Sequence, residues 1–365
     1  MGDQGRPFAD RLGRFGGDGG ARVGTEPHRA CISQGGADRR EEDERRRHGG
    51  AARDHPARRP LVPAADRQDS FHVRCRILRP PPEVQRRVSG LGSPGRRQPL
   101  LSGSRSVPMI DTHAHTHVDA FDQDRAKVLT RAFASGLEAL IEINIVPEAW
   151  PRVLRLAQSD PRIFATAGLH PNEVGQRPLE DLRALERRLG HPRVRAVGET
   201  GLDYYRDRTD RARQQEFFRR HIHWARETRL PLVVHCRRAH EDVLRMIEEE
   251  GRGGVRGVMH CFSGTAEQAR RSRELGFRIG LGGSITYDAA HWAPLLREIG
   301  PGDIVVETDC PFLAPEPYRG RRNEPAYVWR TAEVLAAYLE QSVEEVERAT
   351  DEAARRLFGL QGPGA

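Results

Sequence analysis

Met109-Ile-Asp-Thr-His-Ala-His115 opens the part of the chain that has the pattern of a folded domain. Its apolar start is typical of a strand, and side chains two apart in a strand point to the same face, about 7 Å apart. We therefore expect His113 and His115 side by side at a strand end, where two imidazole nitrogens can bind one metal ion. The run predicts the first strand of a domain and one side of a metal site.

From Met109 onward, apolar runs typical of strands alternate with amphipathic stretches typical of helices. The predicted strands cover 109–115, 138–146, 163–169, 194–199, 231–236, 256–261, 277–282 and 304–309. The predicted helices include 123–135, 179–189, 213–228, 239–250, 266–275, 289–299, 326–339 and 342–358. This alternation implies parallel strands joined by right-handed crossovers.

Eight strand–helix units in about 250 residues predict an α/β domain, a single (β/α)8 barrel of the TIM type, over residues 109–365. A doubly wound open sheet is the alternative. It is disfavoured because no glycine-rich phosphate loop follows the first strand.

Residues 1–108 differ in composition, since they are rich in Gly, Pro and Arg and poor in apolar residues. Such a segment buries too little apolar surface to offset its ordering entropy, so we predict a disordered extension. It carries 22 Arg against 13 Asp and Glu, whereas the remainder carries 37 basic and 39 acidic residues. We interpret the extension as a solvated tail, or as the product of an upstream start codon with translation beginning near Met109. A nucleic-acid-binding arm is the alternative, but charge of mixed sign makes a poor phosphate tether.

The five cysteines are scattered without a Cys-x-x-Cys pair, which is typical of a reducing compartment rather than of a disulfide scaffold. No run reaches the ~18 apolar residues of a membrane span, and the N-terminus lacks the apolar core of a secretory signal. We therefore expect a cytoplasmic protein with no membrane association and no obligate protein partner.

Residue types that bind metals stand at six of the eight predicted strand ends, where barrel enzymes place their sites. They are His113, His115, His170, Glu199, His235, His260, Glu307 and Asp309. A single histidine at a strand end is more often a hydrogen-bonded core residue. So many at one end of a barrel instead indicate a metal site.

Four of these histidines and two of the carboxylates are the strongest ligand candidates, and they exceed the three or four protein ligands of one catalytic ion. The number favours two ions about 3.5–4 Å apart. The six are His113, His115, His235, His260, Glu199 and Asp309. Glu199 is the natural bridge, because its strand lies between two groups of histidines. A carbamylated lysine is excluded, since the only lysine, Lys127, lies in the first predicted helix. Asp309 is nearest the barrel mouth and is the expected proton acceptor for the attacking water. Glu307, one layer deeper, either supports a ligand or contacts the substrate.

Cys236, Cys261 and Cys310 each follow a predicted ligand directly. Neighbours along a strand point in opposite directions. We therefore expect all three to be small buried residues beneath the helices rather than thiolate ligands.

The motifs, taken in order, resemble those of the TatD family of metal-dependent deoxyribonucleases, a branch of the amidohydrolase-like barrels. They are Asp111-Thr-His-Ala-His115, Gly168-Leu-His-Pro171, Gly198-Glu-Thr-Gly-Leu-Asp-Tyr-Tyr205, His235-Cys-Arg237, His260-Cys-Phe-Ser-Gly264, Glu307-Thr-Asp-Cys-Pro311 and Arg322-Asn-Glu-Pro325. The resemblance covers 109–358 and none of 1–108. His117 departs from the pattern, since an apolar residue is common there, and is either a loop histidine or an additional ligand.

The resemblance implies two divalent cations and a hydrolase that cleaves phosphodiester bonds of DNA by metal-activated water, generally as a 3′-to-5′ exonuclease. It implies one ion held by His113, His115, Glu199 and Asp309, and another held by Glu199, His235 and His260. Glu199 and Asp309 are the expected catalytic residues. The family often uses Mg²⁺, whereas a histidine-rich site suits Zn²⁺ or Mn²⁺ better, so the metal stays open.

Six further residues are candidate contacts to a DNA substrate that is single-stranded or presents a 3′ end. They are His170, Asp203, Tyr204, Arg237, Glu307 and Arg322. The two arginines are candidate phosphate contacts. Tyr204 and Tyr205 are candidates for stacking on a terminal base, and Asp203 for orienting a histidine ligand.

Two other functions are compatible with parts of this pattern. A small-molecule amide, ester or lactone hydrolase would use the same site residues, because activated water attacks carbonyl groups as well. A non-enzymatic protein that binds nucleic acid through its basic extension would not need a complete ligand set, and the complete set argues against it.

Overall fold

Eight parallel strands pair in chain order in one sheet, β1 to β8, as described by a computed structural model for residues 108–361 other than Leu179, Asp207 and Asp288. The strands are β1 (Met109–Ala114), β2 (Leu137–Glu142), β3 (Ile163–Ala167), β4 (Val194–Asp203), β5 (Leu232–Arg237), β6 (Gly257–Met259), β7 (Phe277–Leu281) and β8 (Ile304–Val306). The predicted barrel is confirmed. The expected disordered extension lies outside the described residues.

Helices follow the strands and pack outside them. They are α1 (Arg125–Ala134), α2 (Trp150–Ser159), α3 (Asp181–Arg188), α4 (Arg211–Thr228), α5 (His240–Gly251), α6 (Ala266–Glu274), α7 (Ala289–Glu298), α8 (Val328–Leu339) and α9 (Val343–Phe358). Helix α2 was absent from the predicted helices, because Pro147 and Pro151 flank its start and obscure the pattern. Proline is tolerated in the first turn, where its missing N–H has no partner within the helix.

The barrel closes where β1 meets the segment after β8. Ala114 and Cys310 form a parallel bridge. The His115 N–H donates to the Cys310 carbonyl over 2.9 Å, and the Asp309 N–H donates to the His113 carbonyl over 2.8 Å. These bonds join the first and last candidate ligand segments at the carboxyl end of the barrel.

The inside of the barrel is filled by branched and small side chains from most of the strands, as the close-packed core of a TIM-type barrel requires. They include Ile110, Ile141, Val233, Val258 and Val305, and Leu357 and Phe358 of α9 pack in the same cluster. Since Ile110 lies near the start of β1, α9 covers the amino end of the barrel and the metal-binding residue types gather at the other end. Within the described part of the chain, no helix combines the length and apolarity needed to cross a membrane.

Asp351 on α9 makes the stability of the fold depend on pH. Its Oδ1 accepts a hydrogen bond from the Ile110 N–H (2.9 Å), while its buried Oδ2 has no hydrogen-bond partner among the described residues. Burial raises the pKa of Asp351 to about 8, although the Ile110 N–H and Arg355 oppose the rise. An unfolded aspartate titrates near pH 3.9. Between these values the folded state holds a proton that the unfolded state has lost, so the free energy of unfolding falls as pH rises.

Asp351→Asn is expected to stabilise the protein by about 1–2 kcal/mol at pH 7.5, or about 3–6 °C in Tm, and much less at pH 4.5. The amide oxygen keeps the bond to Ile110 and removes the ionisation. Thermal unfolding at both pH values measures the effect, with Glu352→Gln, exposed on the same helix, as the matched control. An equal gain in Tm at the two pH values would contradict the assignment.

Candidate metal centre

His113 and His115 lie at the carboxyl end of β1 with their Nε2 atoms 3.1 Å apart. Both side chains are buried. The register of β1 against β2 shifts between Asp111 and Ala114. In a regular strand Ile110 and the two histidines would face opposite sides of the sheet, because an odd number of positions separates them. The shift allows all three to face the barrel interior. The slip lets one strand supply both a core residue and two metal-type ligands.

Asp111 fixes this strand end against the segment after β8. Its Oδ1 accepts hydrogen bonds from the backbone N–H groups of His113 (3.2 Å) and Thr308 (3.0 Å), and its Oδ2 accepts from the Thr308 hydroxyl (2.6 Å). Burial raises the pKa of Asp111 to about 7 despite these bonds. Asp111 was not among the predicted site residues, although its place in the Asp-Thr-His-Ala-His motif was the signal that could have identified it.

Glu199 on β4 lies between two groups of imidazoles. Its Oε1 is 3.1 Å from Nδ1 of His235 and 3.6 Å from Nε2 of His170. Its Oε2 is 3.5 Å from Nε2 of His113 and 4.0 Å from Nε2 of His115. Burial acts to raise the pKa of Glu199, but the surrounding histidines outweigh it and hold the pKa well below its ordinary value. The carboxylate is therefore charged and faces both groups.

Gly201 allows β4 and β5 to approach at this point. Its φ is +136°, and a Cβ built there would lie 2.0 Å from the His235 carbonyl oxygen. No side chain fits, so glycine is required for Glu199 and His235 to lie close together.

Asp309 faces His113 and His115, and the three form the first ligand group; His170, Glu199 and His235 form the second. Its Oδ1 is 3.3 Å from Nε2 of His115, 3.7 Å from that of His113 and 3.8 Å from that of His260. The predicted strand over 304–309 is too long, since β8 ends at Val306 and Asp309 has a left-handed φ of +54°. This conformation, uncommon for a residue other than glycine, aims the carboxylate at the histidines. Burial acts to raise the pKa of Asp309, but the bond to His115 and the other imidazoles lower it.

His260 stacks on His113, with ring centroids 3.4 Å apart. Its Nδ1 lies 3.1 Å from Oε1 of Glu307, and the same oxygen accepts the Cys261 N–H over 2.6 Å. Burial acts to lower the pKa of His260, but the carboxylates of Glu307 and Asp309 raise it to about 10. Glu307 thus supports His260. The group around Glu199 and His235, where the family resemblance had placed His260, contains His170 instead.

Cys261 corrects one expectation. Its thiol lies within 4.8 Å of potential ligand atoms of His260 and Asp309, facing the site rather than the helices. Strand β6 ends at Met259 and Cys261 has a φ of +44°, so alternation along a strand does not extend to it. Cys236 and Cys310 are buried in the outer apolar cluster, as expected.

The donor set fits a divalent cation. Ligand atoms of His113, His115 and Asp309 lie within 4.8 Å of one another, and so do those of His170, Glu199 and His235. Within the described residues, the buried Nδ1 atom of His113 has no hydrogen-bond partner. Imidazole nitrogens crowded against carboxylates, with a polar atom left unpaired, are the arrangement that a bound cation stabilises.

Asp203, the last residue of β4, and Asn172, in a short 3-10 helix after β3, support His235. Oδ2 of Asp203 is 3.2 Å from Nε2 of His235 and accepts a hydrogen bond from the Asn172 side chain over 2.9 Å. Burial acts to raise the pKa of Asp203, but His235 lowers it well below the ordinary range. These contacts orient the His235 ring.

Four other residues singled out in the sequence contact side chains outside the candidate ligand set. The Tyr204 hydroxyl donates to Asp242 over 2.8 Å. Arg322 forms a two-bond ion pair with Asp124, at 2.7 and 2.8 Å, and is not directed at the ligands. The sequence left open whether His117 is an additional metal ligand. Its side chain is buried, and its Nδ1 lies 2.6 Å from Oε1 of Glu142. The guanidinium of Arg237 lies 4.0 Å above the ring of Tyr205. Tyr205 is exposed, whereas Tyr204 is partly buried.

A family model described as TatD related DNase matches residues 110–359. The chain belongs to the TatD family. A metal-dependent hydrolase of Bacillus subtilis, YabD, is 38% identical over 253 residues, covering 69% of this chain and 99% of the relative. The 3′-5′ ssDNA/RNA exonuclease TatD of Citrobacter rodentium is 30% identical over 260 residues, covering 69% and 98%.

Solved structures agree with this assignment. YJJV, a TatD homologue from Escherichia coli, superposes with a TM-score of 0.66 at 30% identity, covering 69% of this chain and 98% of that one. The protein is thus a metal-dependent hydrolase of the TatD family, and the non-enzymatic alternative does not apply.

Proposed function

We propose that this TatD-family hydrolase removes nucleotides from the 3′ end of single-stranded DNA with the help of two divalent cations. The observation that carries the proposal is Glu199, one buried carboxylate directed at two separate groups of imidazoles. The 3′-5′ ssDNA/RNA exonuclease activity for which the Citrobacter rodentium relative is named supports the choice of substrate.

In this proposal His113, His115, Glu199 and Asp309 hold one ion, and Glu199 and His235 share the second with a further histidine. The resemblance favours His260 for that place, whereas the distances to Glu199 favour His170. When bound, two such ions lower the pKa of water and neutralise charge on the phosphate oxygens. The number of histidines favours Mn²⁺ or Zn²⁺ over Mg²⁺.

The chain's own residues supply the proton transfer and the positioning. Asp309 is ionised at neutral pH, because its pKa lies below the ordinary value, and it accepts the proton of the attacking water. Asp203 orients His235 and Glu307 orients His260 through the contacts described above. Arg237, at the end of β5, contributes positive charge for the DNA backbone.

A 3′-labelled single-stranded oligonucleotide incubated with Mn²⁺ or Mg²⁺ is expected to release labelled mononucleotide in the first turnovers, whereas a 5′-labelled copy shortens stepwise. A 3′-terminal phosphorothioate linkage serves as the matched control and should slow the release. Absence of nucleotide release, together with turnover of an amide, ester or lactone panel, would contradict the proposal and favour the small-molecule hydrolase.

A further inference from the structure

Two large apolar side chains remain exposed among the described residues, and both stand at the mouth of the barrel. Tyr205 is 40% exposed and Phe312 is 50% exposed. Tyr205 follows Asp203 by two positions, and Phe312 follows Asp309 by three. Single exposed apolar residues are ordinary. These two rings differ in that both stand beside candidate metal ligands.

Phe312 stands beside the first ligand group, that of His113, His115 and Asp309. Its ring centroid is 6.2 Å from that of His115, with the rings inclined at 68°. Its N–H donates to the Asp309 carbonyl over 2.9 Å, and its own carbonyl accepts from the Asn323 side chain over 2.7 Å. The backbone is therefore held on both sides while the ring projects into solvent.

Tyr205 stands beside the second ligand group, that of His170, Glu199 and His235. Its N–H donates to Oδ1 of Asp203, whose Oδ2 contacts His235. The guanidinium groups of Arg237 and Arg238 lie 4.0 and 4.7 Å from the ring centroid. Both guanidinium groups lie over the ring, and Tyr205 stays 40% exposed. A partly exposed ring that carries two cations complements a base and its adjoining phosphates.

We propose that Phe312 and Tyr205 stack on nucleobases on the two sides of the phosphate that is cleaved, and so select single-stranded nucleic acid. This inference rests on the proposed function. An exposed aromatic ring stacks on a base only when that base is free of its neighbours and partner strand, so a duplex interior is not accepted. Because every base has a π-face, the contact carries little sequence preference.

The test compares Phe312→Ala and Tyr205→Ala with the ring-preserving variants Phe312→Tyr and Tyr205→Phe on short thymidine oligonucleotides. Each alanine variant is expected to raise KM about 10-fold, since stacking on one base contributes about 1–3 kcal/mol, while kcat changes less than about twofold. The ring-preserving variants should restore the KM. Because both rings are exposed, all four proteins should unfold at the wild-type Tm.

Oligonucleotides with a single abasic site separate base stacking from other causes. At one position near the 3′ end the abasic substitution should raise the wild-type KM and leave that of Phe312→Ala unchanged, and at another position the same should hold for Tyr205→Ala. If the wild type cleaves DNA but the alanine variants keep its KM, or if no abasic site cancels their effect, the stacking inference is wrong. If the wild type does not cleave DNA at all, the proposed function itself fails.

Discussion

Asp309→Asn is expected to lower kcat for phosphodiester hydrolysis by about 10³-fold or more while the barrel stays folded. The amide keeps the shape of the side chain but cannot accept a proton as the carboxylate does, and a positioned general base contributes about 10²–10⁴-fold. The substitution also removes the negative charge that lies 3.3–3.8 Å from the Nε2 atoms of His115, His113 and His260. Both losses act on the same step, so the activity falls further than either alone would cause.

The measurement is single-turnover cleavage of 3′-labelled DNA, with circular dichroism as the test of folding. Asp303→Asn is the matched control, because Asp303 precedes β8 at the opposite end of the barrel and pairs with Arg273 and Arg278. That variant should retain activity within about twofold of the wild type. Activity above about a tenth of the wild-type level in Asp309→Asn would exclude Asp309 as the proton acceptor.

Glu199→Gln is expected to weaken the binding of both ions by about 100-fold or more. Glu199 is the carboxylate that faces both histidine groups, and an amide carries no charge to offset that of a cation. Without this carboxylate both ions would lose the same anionic ligand, so both sites are expected to lose metal together. Replacement of any one histidine removes a ligand from one group only, so Glu199→Gln should have the larger effect on total metal content.

Metal content after dialysis and calorimetric titration with Mn²⁺ measure this effect. Glu138→Gln is the matched control, since Glu138 also lies on a strand but pairs with Arg355 near the amino end of the barrel. It should bind metal as the wild type does. Retention of two equivalents in Glu199→Gln would overturn the assignment of Glu199 as a ligand shared by both ions, and loss of one equivalent would show that Glu199 serves a single ion.

The repeating part of the fold was predictable because its signals are local. The apolar runs of β1 to β8 and the amphipathic stretches between them follow from periods of 2 and 3.6 residues. Once the barrel is inferred, the rule that sites gather at the carboxyl ends of strands brings the candidate ligands to one end. His113, Glu199 and Asp309 could therefore be proposed as neighbours although they are distant in the chain.

The details that were missed depend on backbone conformation just beyond the strands. Asp309 and Cys261 have left-handed φ values of +54° and +44°, which no alternation rule anticipates. Tyr204 and Tyr205 are adjacent in the motif, and only the contact of Tyr204 with Asp242 decides which ring is exposed.

The amino-acid sequence by itself determined the barrel, its family and the set of residue types at its carboxyl end, because periodicity and motif order are properties of the chain alone. Tertiary structure decided how those residues are grouped: His170 beside Glu199 and His235, and His260 against His113 and Glu307. It also left the rings of Phe312 and Tyr205 exposed. The physical reason is that strand register, the slip in β1 and left-handed residues set side-chain directions through contacts between distant parts of the chain.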